Sequence, residues 1–325
     1  MPKLSYLKAM NRALGDELEA DDRVFLLGED IRVAASNLTA GLFARFGPER
    51  VLDTPLSEQA FTNFATGAAL AGLRPVIEFQ IPSLLFLVFE QIANQAHKLS
   101  LMSGGQCKVP VTYVVPGSGS RTGWAGQHSD HPYNLFAHVG VKTVVPATPA
   151  DAYGLMLSAI RDDDPVVVFA PAAALGFRED VDFSTLAPVP LGVGRIARAG
   201  SDLTVVALGH LVQDALAVAD ELSGEASIEV FDPRTVYPLD VEGLAASVAR
   251  TGRLVVIDDS NRTSGFGAEV LAVAAERFEL VAPPRRVTRP DGAVLPFALA
   301  LDRAVQPGRD DLVAAIRGVL EGEKK

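Results

Sequence analysis

Short, continuous runs of Val, Ile and Leu alternate with segments of helical apolar spacing along most of the chain, and this alternation restricts the fold more than any other feature. The runs at residues 24–27, 75–79, 109–115 and 165–169 are too short for buried helices and lack the in-and-out pattern of a strand with one wet face. They predict parallel strands covered on both sides. Residues 61–71, 84–101 and 150–160 repeat apolar side chains at helical intervals, as do Leu4, Leu7, Met10, Leu14 and Leu18 at the start. From 171 to 200 the pattern lapses into Pro, Gly, Ala and isolated charges, which reads as a segment crossing between domains. Beyond it the alternation resumes, with strands expected at 203–208, 227–231 and 253–257 and helices at 211–222, 241–249 and 268–278. The expectation is therefore two open α/β domains, whose ligands sit at the carboxyl ends of the strands. Residues 321–325 read as a solvated tail.

A length of 325 residues suits two such domains. Lys plus Arg is 29 against 40 for Asp plus Glu, and the resulting net charge of −11 repels a phosphate backbone, so nucleic acid is a poor partner. The single cysteine, Cys107, excludes an intrachain disulfide framework and reads as a packing residue in a reducing compartment. The first ten residues lack a basic stretch followed by an apolar run. The longest apolar run, 81–89, is broken by Pro82 and Ser83 and is far short of the ~20 residues that span a bilayer. A cytoplasmic chain with no membrane contact is expected.

Two segments stand out chemically. In Asp53-Thr54-Pro55-Leu56-Ser57-Glu58-Gln59-Ala60 a carboxylate precedes a helix of small residues. A glutamate there either satisfies free N–H groups and the helix dipole or, if buried, holds a proton that a cofactor's ring nitrogen can share. The Gly-rich stretch 117–129 follows a predicted strand but lacks the Gly-Lys-Ser/Thr ending of a phosphate loop. It leads to His128, and three of the five histidines fall within 125–138. For His128 and His131, metal ligation, a bystander hydrogen bond and acid/base or substrate contact all remain open, although no matching Cys or carboxylate spacing accompanies them. Gly265-Phe266-Gly267 lacks the third glycine of a nucleotide motif and reads as the start of a helix, while Asp162-Asp163-Asp164-Pro165 reads as a solvated turn. No Gly-x-Ser-x-Gly elbow joins a strand to a helix.

Seven segments in order complete a recognisable pattern: Phe46-Gly47-Pro48-Glu49-Arg50-Val51, Asp53-Thr54-Pro55-Leu56-Ser57-Glu58, Gly67-Ala68-Ala69-Leu70-Ala71-Gly72-Leu73-Arg74-Pro75-Val76, Met102-Ser103-Gly104-Gly105-Gln106, Gln127-His128-Ser129, Ala159-Ile160-Arg161-Asp162-Asp163-Asp164-Pro165-Val166-Val167 and Arg262-Thr263-Ser264-Gly265-Phe266-Gly267-Ala268-Glu269. Together they resemble the beta subunit of thiamine-diphosphate-dependent 2-oxo acid dehydrogenases, from about Leu4 to Leu320. The resemblance implies a transketolase-like pyrimidine-binding domain over residues 1–185, a linker over 186–200 and a transketolase C-terminal-like domain over 201–325. It implies oxidative decarboxylation of a 2-oxo acid, with the acyl group passed to the lipoyl group of an acyltransferase partner. The beta chain of that family binds the aminopyrimidine end of thiamine diphosphate, while an alpha chain holds magnesium and the diphosphate through a Gly-Asp-Gly motif. This sequence has no Gly-Asp-Gly, so an α2β2 heterotetramer with a separate alpha subunit is expected.

By the same resemblance Glu58 faces the aminopyrimidine ring nitrogen, and His128 lies near the reacting carbon and the incoming lipoyl group. Gln127 and His131 fall in the substrate pocket, and Ala159, Asp162 and Asp164 occupy the positions of a structural potassium site. Two departures are visible. Leu84 stands where the family has an aromatic ring stacked on the aminopyrimidine, a geometry an aliphatic side chain cannot supply, with Phe86 or Phe89 as the nearby rings. Arg121 and Trp124 replace small residues in the loop before His128, which points to an altered substrate pocket. Two rival readings are a two-component transketolase-like enzyme using a non-lipoyl acceptor and a non-catalytic partner chain.

Overall fold

Parallel sheets form where the continuous apolar runs predict them, in a computed structural model that describes residues 3–120, 123–182 and 184–324. Arg121 lies outside the described residues. The first half runs β1 (Lys3–Ser5), α1 (Tyr6–Ala20), β2 (Val24–Gly28), α2 (Leu42–Phe46), β3 (Val51–Asp53), α3 (Glu58–Leu70), β4 (Arg74–Glu78), α4 (Leu84–Leu87), α5 (Lys98–Met102), β5 (Thr112–Ser118), α6 (Tyr133–Val139), β6 (Lys142–Val144), α7 (Pro149–Arg161), β7 (Val166–Pro171) and β8 (Arg178–Asp180). The second runs β9 (Arg195–Arg198), β10 (Leu203–Ala207), α8 (Leu211–Glu221), β11 (Ile228–Asp232), β12 (Thr235–Tyr237), α9 (Val241–Thr251), β13 (Leu254–Asn261), α10 (Phe266–Arg277), β14 (Arg285–Arg289), α11 (Leu299–Val305) and α12 (Arg309–Leu320).

Among the described residues the first sheet has the order β12-β6-β7-β5-β4-β2-β3 and the second β14-β13-β10-β11-β9. Pairing is parallel except at the β12 and β9 edges. Every residue of β2, β5, β7, β10 and β11 is buried, as expected for strands covered on both faces. Local signals fix several helix starts. Thr148 accepts the Asp151 N–H ahead of Pro149 in α7, and Asp240 accepts the Gly243 N–H in α9.

Three expectations need correction. The helix expected over 84–101 is interrupted: α4 ends at Val88, and π-helical turns over Gln91–His97 lead into α5. The wider turns bring Ile92, Ala93 and Ala96 together onto the core, so packing overrides regular helical phase. The expected linker over 186–200 contains β9, which pairs antiparallel with β11 and completes the second sheet. Residues 321–324 form a 3-10 turn in place of an irregular tail, with Glu321 and Gly322 exposed as expected of a solvated one.

The halves share one core. Phe79, Tyr113, Phe136 and Phe169 of the first belong to the same buried cluster as Val206, Phe231, Val256 and Phe266 of the second. No helix among the described residues is long and apolar enough to cross a membrane.

Candidate active site

Parallel strands end together, so the residues that follow β2, β3 and β4 gather at one sheet edge. Gly28 lies opposite both Asp53 and Glu78, which sets Glu29 beside the segment leading to α3. Ser57, at the start of α3, makes no side-chain cap, and Glu58 follows it in the first turn. Glu58 stands near enough to Glu29 for its charge to act on the Glu29 carboxyl. Burial first, then the charges of Glu58 and Asp30 and the contact with Glu58, push the Glu29 carboxyl up to about 7. A like charge this close adds to burial in disfavouring ionisation of the Glu29 carboxyl.

Glu78 is a second buried acid at the same edge, pushed up to about 7 by burial and partly relieved by Ser36. Gln80 ties the two positions together, its Nε2 donating to the Glu29 carbonyl at 3.0 Å and to Glu78 Oε1 at 3.2 Å. Glu29 Oε1 and Glu78 Oε2 are buried without a hydrogen-bond partner.

The neighbouring helix is α4, anchored to the start of α3 by Gln59 Nε2, which donates to the Leu87 carbonyl at 3.2 Å. Leu84 is half-buried against the core, whereas Phe86 is 51% exposed. A cleft of about 770 Å³ opens beside α4, lined by Phe86, Trp124, Gln127 and His128 from the first half and by Asn261 and Val294 from the second. Glu58, Leu84 and His131 do not line it.

His131 therefore departs from the expected pocket position. It is buried beneath the loop, its Nε2 2.9 Å from Ser118 Oγ and its Nδ1 3.4 Å from Asp259 Oδ2. Asp258 and Asp259 stand near the end of the buried part of β13, followed by Ser260. Asp258 accepts hydrogen bonds from the Tyr133 and Ser260 hydroxyls and from the Gly267 N–H.

The potassium positions are also occupied differently from the expectation. Lys142 Nζ donates to Asp162 Oδ1 and Oδ2 at 2.8 and 2.9 Å and to Asp164 Oδ2 at 3.0 Å. Arg74 Nη1 donates to the carbonyls of Ile160 and Asp162 at 3.1 and 2.9 Å. Ala159 is buried one turn earlier in α7. The Asp162 and Asp164 carboxylates are thus taken up by the chain's own Lys142 rather than left open to an added alkali ion. Among the described residues no group of three or more His, Cys, Asp or Glu side chains could hold a metal.

Sequence reading missed Glu29, Glu78, Asp259 and Arg289. A signal existed for some of them: Glu29 directly follows a buried run, and Asp258-Asp259 continues one, where unpaired acids are rare. Arg289, in the charged stretch Arg285-Arg286-Val287-Thr288-Arg289, gave none.

Comparison with known proteins agrees with this architecture. Residues 2–176 match the transketolase pyrimidine binding domain family and residues 192–312 the transketolase C-terminal domain family. The chain is 37% identical over 323 residues to the pyruvate dehydrogenase E1 component subunit beta of Rickettsia felis, covering 98% of each. It is 35% identical over 327 residues to the 2-oxoisovalerate dehydrogenase subunit beta of Bacillus subtilis, covering 99% of this chain and 100% of the relative. A solved structure described as a split gene transketolase, inactive beta4 tetramer, superposes with a TM-score of 0.81 over 99% of each chain at 24% identity, a likeness of fold. The chain belongs to the family of beta subunits of the thiamine-diphosphate-dependent 2-oxo acid dehydrogenases.

Proposed function

We propose that this chain supplies the aminopyrimidine half of a thiamine diphosphate site, with Glu58 and His128 as its catalytic residues and a small 2-oxo acid as substrate. The observation that carries the reading is the placement of Glu58 beside the buried Glu29, whose carboxyl is pushed up to about 7, because an aminopyrimidine ring nitrogen requires a carboxyl proton held near neutral pH at that place. The buried, unpartnered Glu29 Oε1 beside it fits a polar ligand group at the same place. When bound, the cofactor supplies the electron sink for decarboxylation.

The chain's own residues would then divide the work. Glu58 holds the proton at the ring nitrogen, with Glu29 keeping that proton available. His128, exposed on the cleft wall, moves a proton or donates a hydrogen bond at the reacting end and to the incoming lipoyl group. Phe86 offers the exposed ring that Leu84 lacks, and Trp124 and Gln127 bound the space for the substrate side chain.

The magnesium and diphosphate half falls to a separate alpha subunit in an α2β2 assembly, since this sequence has no Gly-Asp-Gly. Exposed apolar side chains support such contacts. Leu56 borders the Glu58 segment, Leu101 and Met102 end α5, Val294 lines the cleft and Phe297 follows it three residues on, all above 70% exposed. Potassium has no place in this reading. A reducing, cytoplasmic setting accords with the lone Cys107, which is free.

The reading is tested on the complex formed with the alpha subunit. Glu58→Gln keeps the shape and removes the shared proton, so decarboxylation falls by at least ~100-fold; near-normal turnover would overturn the role. Calorimetry of this chain alone with thiamine diphosphate and magnesium gives weak binding and no turnover, because the charged end of the cofactor stays solvated. Tight binding with turnover in the absence of a second polypeptide would overturn the division of the site.

A further inference from the structure

The loop that carries Trp124, Gln127 and His128 runs between β5 and α6, and both of its ends reach the same side chain on the other half of the molecule. At the first end Ser120 donates to Asp259 Oδ2 twice, from its backbone N–H at 3.0 Å and its hydroxyl at 2.8 Å. At the far end His131 Nδ1 lies 3.4 Å from the same oxygen, while its Nε2 closes the loop base against Ser118. The other Asp259 oxygen accepts Arg289 Nε at 2.8 Å. Asp259, Arg289, Ser120 and His131 are all at least nine-tenths buried.

Resting on the proposed function, we propose that Asp259 is a positioning residue that clamps the two ends of the His128 loop and so holds His128 and Trp124 against the cleft. Burial would raise the Asp259 carboxyl, but the Arg289 guanidinium and His131 hold it well below the usual carboxylate range, so the clamp stays charged. The loop needs such a clamp. Ala125 holds φ 67° and ψ −179°, a region that costs a residue with a Cβ on the order of 1–3 kcal/mol and persists only where the surroundings enforce it. Gly119, with φ +83°, lies so close to His131 that an added Cβ would stand 2.2 Å from its Cε1. Val294 of the second half presses on Gly126 in the same way, at 2.3 Å from an added Cβ. The second half therefore contributes to catalysis without a reacting group of its own: it fixes where His128 stands.

The sole tryptophan, Trp124, sits in this loop and reports its order directly. In the full chain, Asp259→Asn gives Trp124 a fast local component in its fluorescence anisotropy decay that the parent lacks. In the complex with the alpha subunit, the same variant loses at least ~10-fold in kcat, the size expected when a catalytic group is displaced by about an ångström. A clamp that serves stability alone would lower the unfolding midpoint and leave Trp124 anisotropy and kcat unchanged, and that result would overturn the proposal. Should Asp259→Asn not fold, Ser120→Ala carries the test by removing one hydrogen bond to Asp259; unchanged Trp124 anisotropy there overturns the proposal equally. The anisotropy needs neither substrate nor partner. If it changes as expected while the parent complex fails to decarboxylate any 2-oxo acid, the clamp stands and the reading of the reaction falls.

Discussion

At the carboxyl ends of the first sheet's strands the buried acids stand without cations, whereas at the same ends of the second sheet Asp259 is matched by a buried arginine. Glu29 is shifted by burial and neighbouring acids and Glu78 by burial, and no basic side chain is among the causes for either. Both can therefore gain or lose a proton near neutral pH. Asp259, against Arg289, is kept ionised and spends its charge on hydrogen bonds to the loop. Equivalent places in two similar sheets have thus been given opposite electrostatics. The unpaired acids are left free to take up a proton, and the one that clamps the loop is kept charged by its arginine.

Removing the cation tests the second half of that contrast most severely. Arg289→Met leaves Asp259 buried and unpaired, which costs ~3–5 kcal/mol in urea unfolding. A loss close to zero would mean that the pair is dispensable and that the contrast is one of composition only. The first half is tested by pH. The folded-state Glu78 carboxyl titrates near 7, above its ordinary 4.5. Between those values the folded chain keeps a proton that the unfolded chain releases, so stability falls as pH rises from about 4.5 to 7, by on the order of 2–3 kcal/mol. In Glu78→Gln this fall disappears, seen as a smaller difference between urea midpoints at pH 5 and pH 7.5; an unchanged difference would break the contrast from the acid side. The mildest change concerns the rim of the cleft. Trp124→Gly widens it beside Phe86 and shifts relative kcat/KM toward 2-oxo acids with larger side chains, by ~10-fold for one or two methylenes. An unchanged preference with weakened assembly would assign the ring to a subunit contact.

The strands and helices were legible in the sequence wherever burial was uniform: the run at 203–208 became β10, and the helical spacing over 211–222 became α8. The segments around Glu58 and His128 stood out in the sequence because they form short ordered motifs. What escaped reading depends on distance along the chain. Asp259 meets Ser120 across 139 residues, and Lys142 meets Asp162 across 20, contacts that no local pattern encodes. His131 is expected in the pocket from the resemblance, yet three residues beyond His128 the loop has turned beneath itself. The strand β14 was hidden by its arginines, one of which goes inward because Asp259 awaits it.

The outer strand of the first sheet, β12, comes from the second half: Thr235 lies opposite Val144 and Tyr237 opposite Thr143, and the Val145 N–H donates to the Arg234 carbonyl. Exchange of halves between relatives is therefore not a cut and join at the crossing segment. A first half taken alone would bare the edge of β6, a template for pairing with stray chains. A hybrid would receive a foreign strand into its own sheet, so any productive chimera must keep residues 234–237 matched to 142–145.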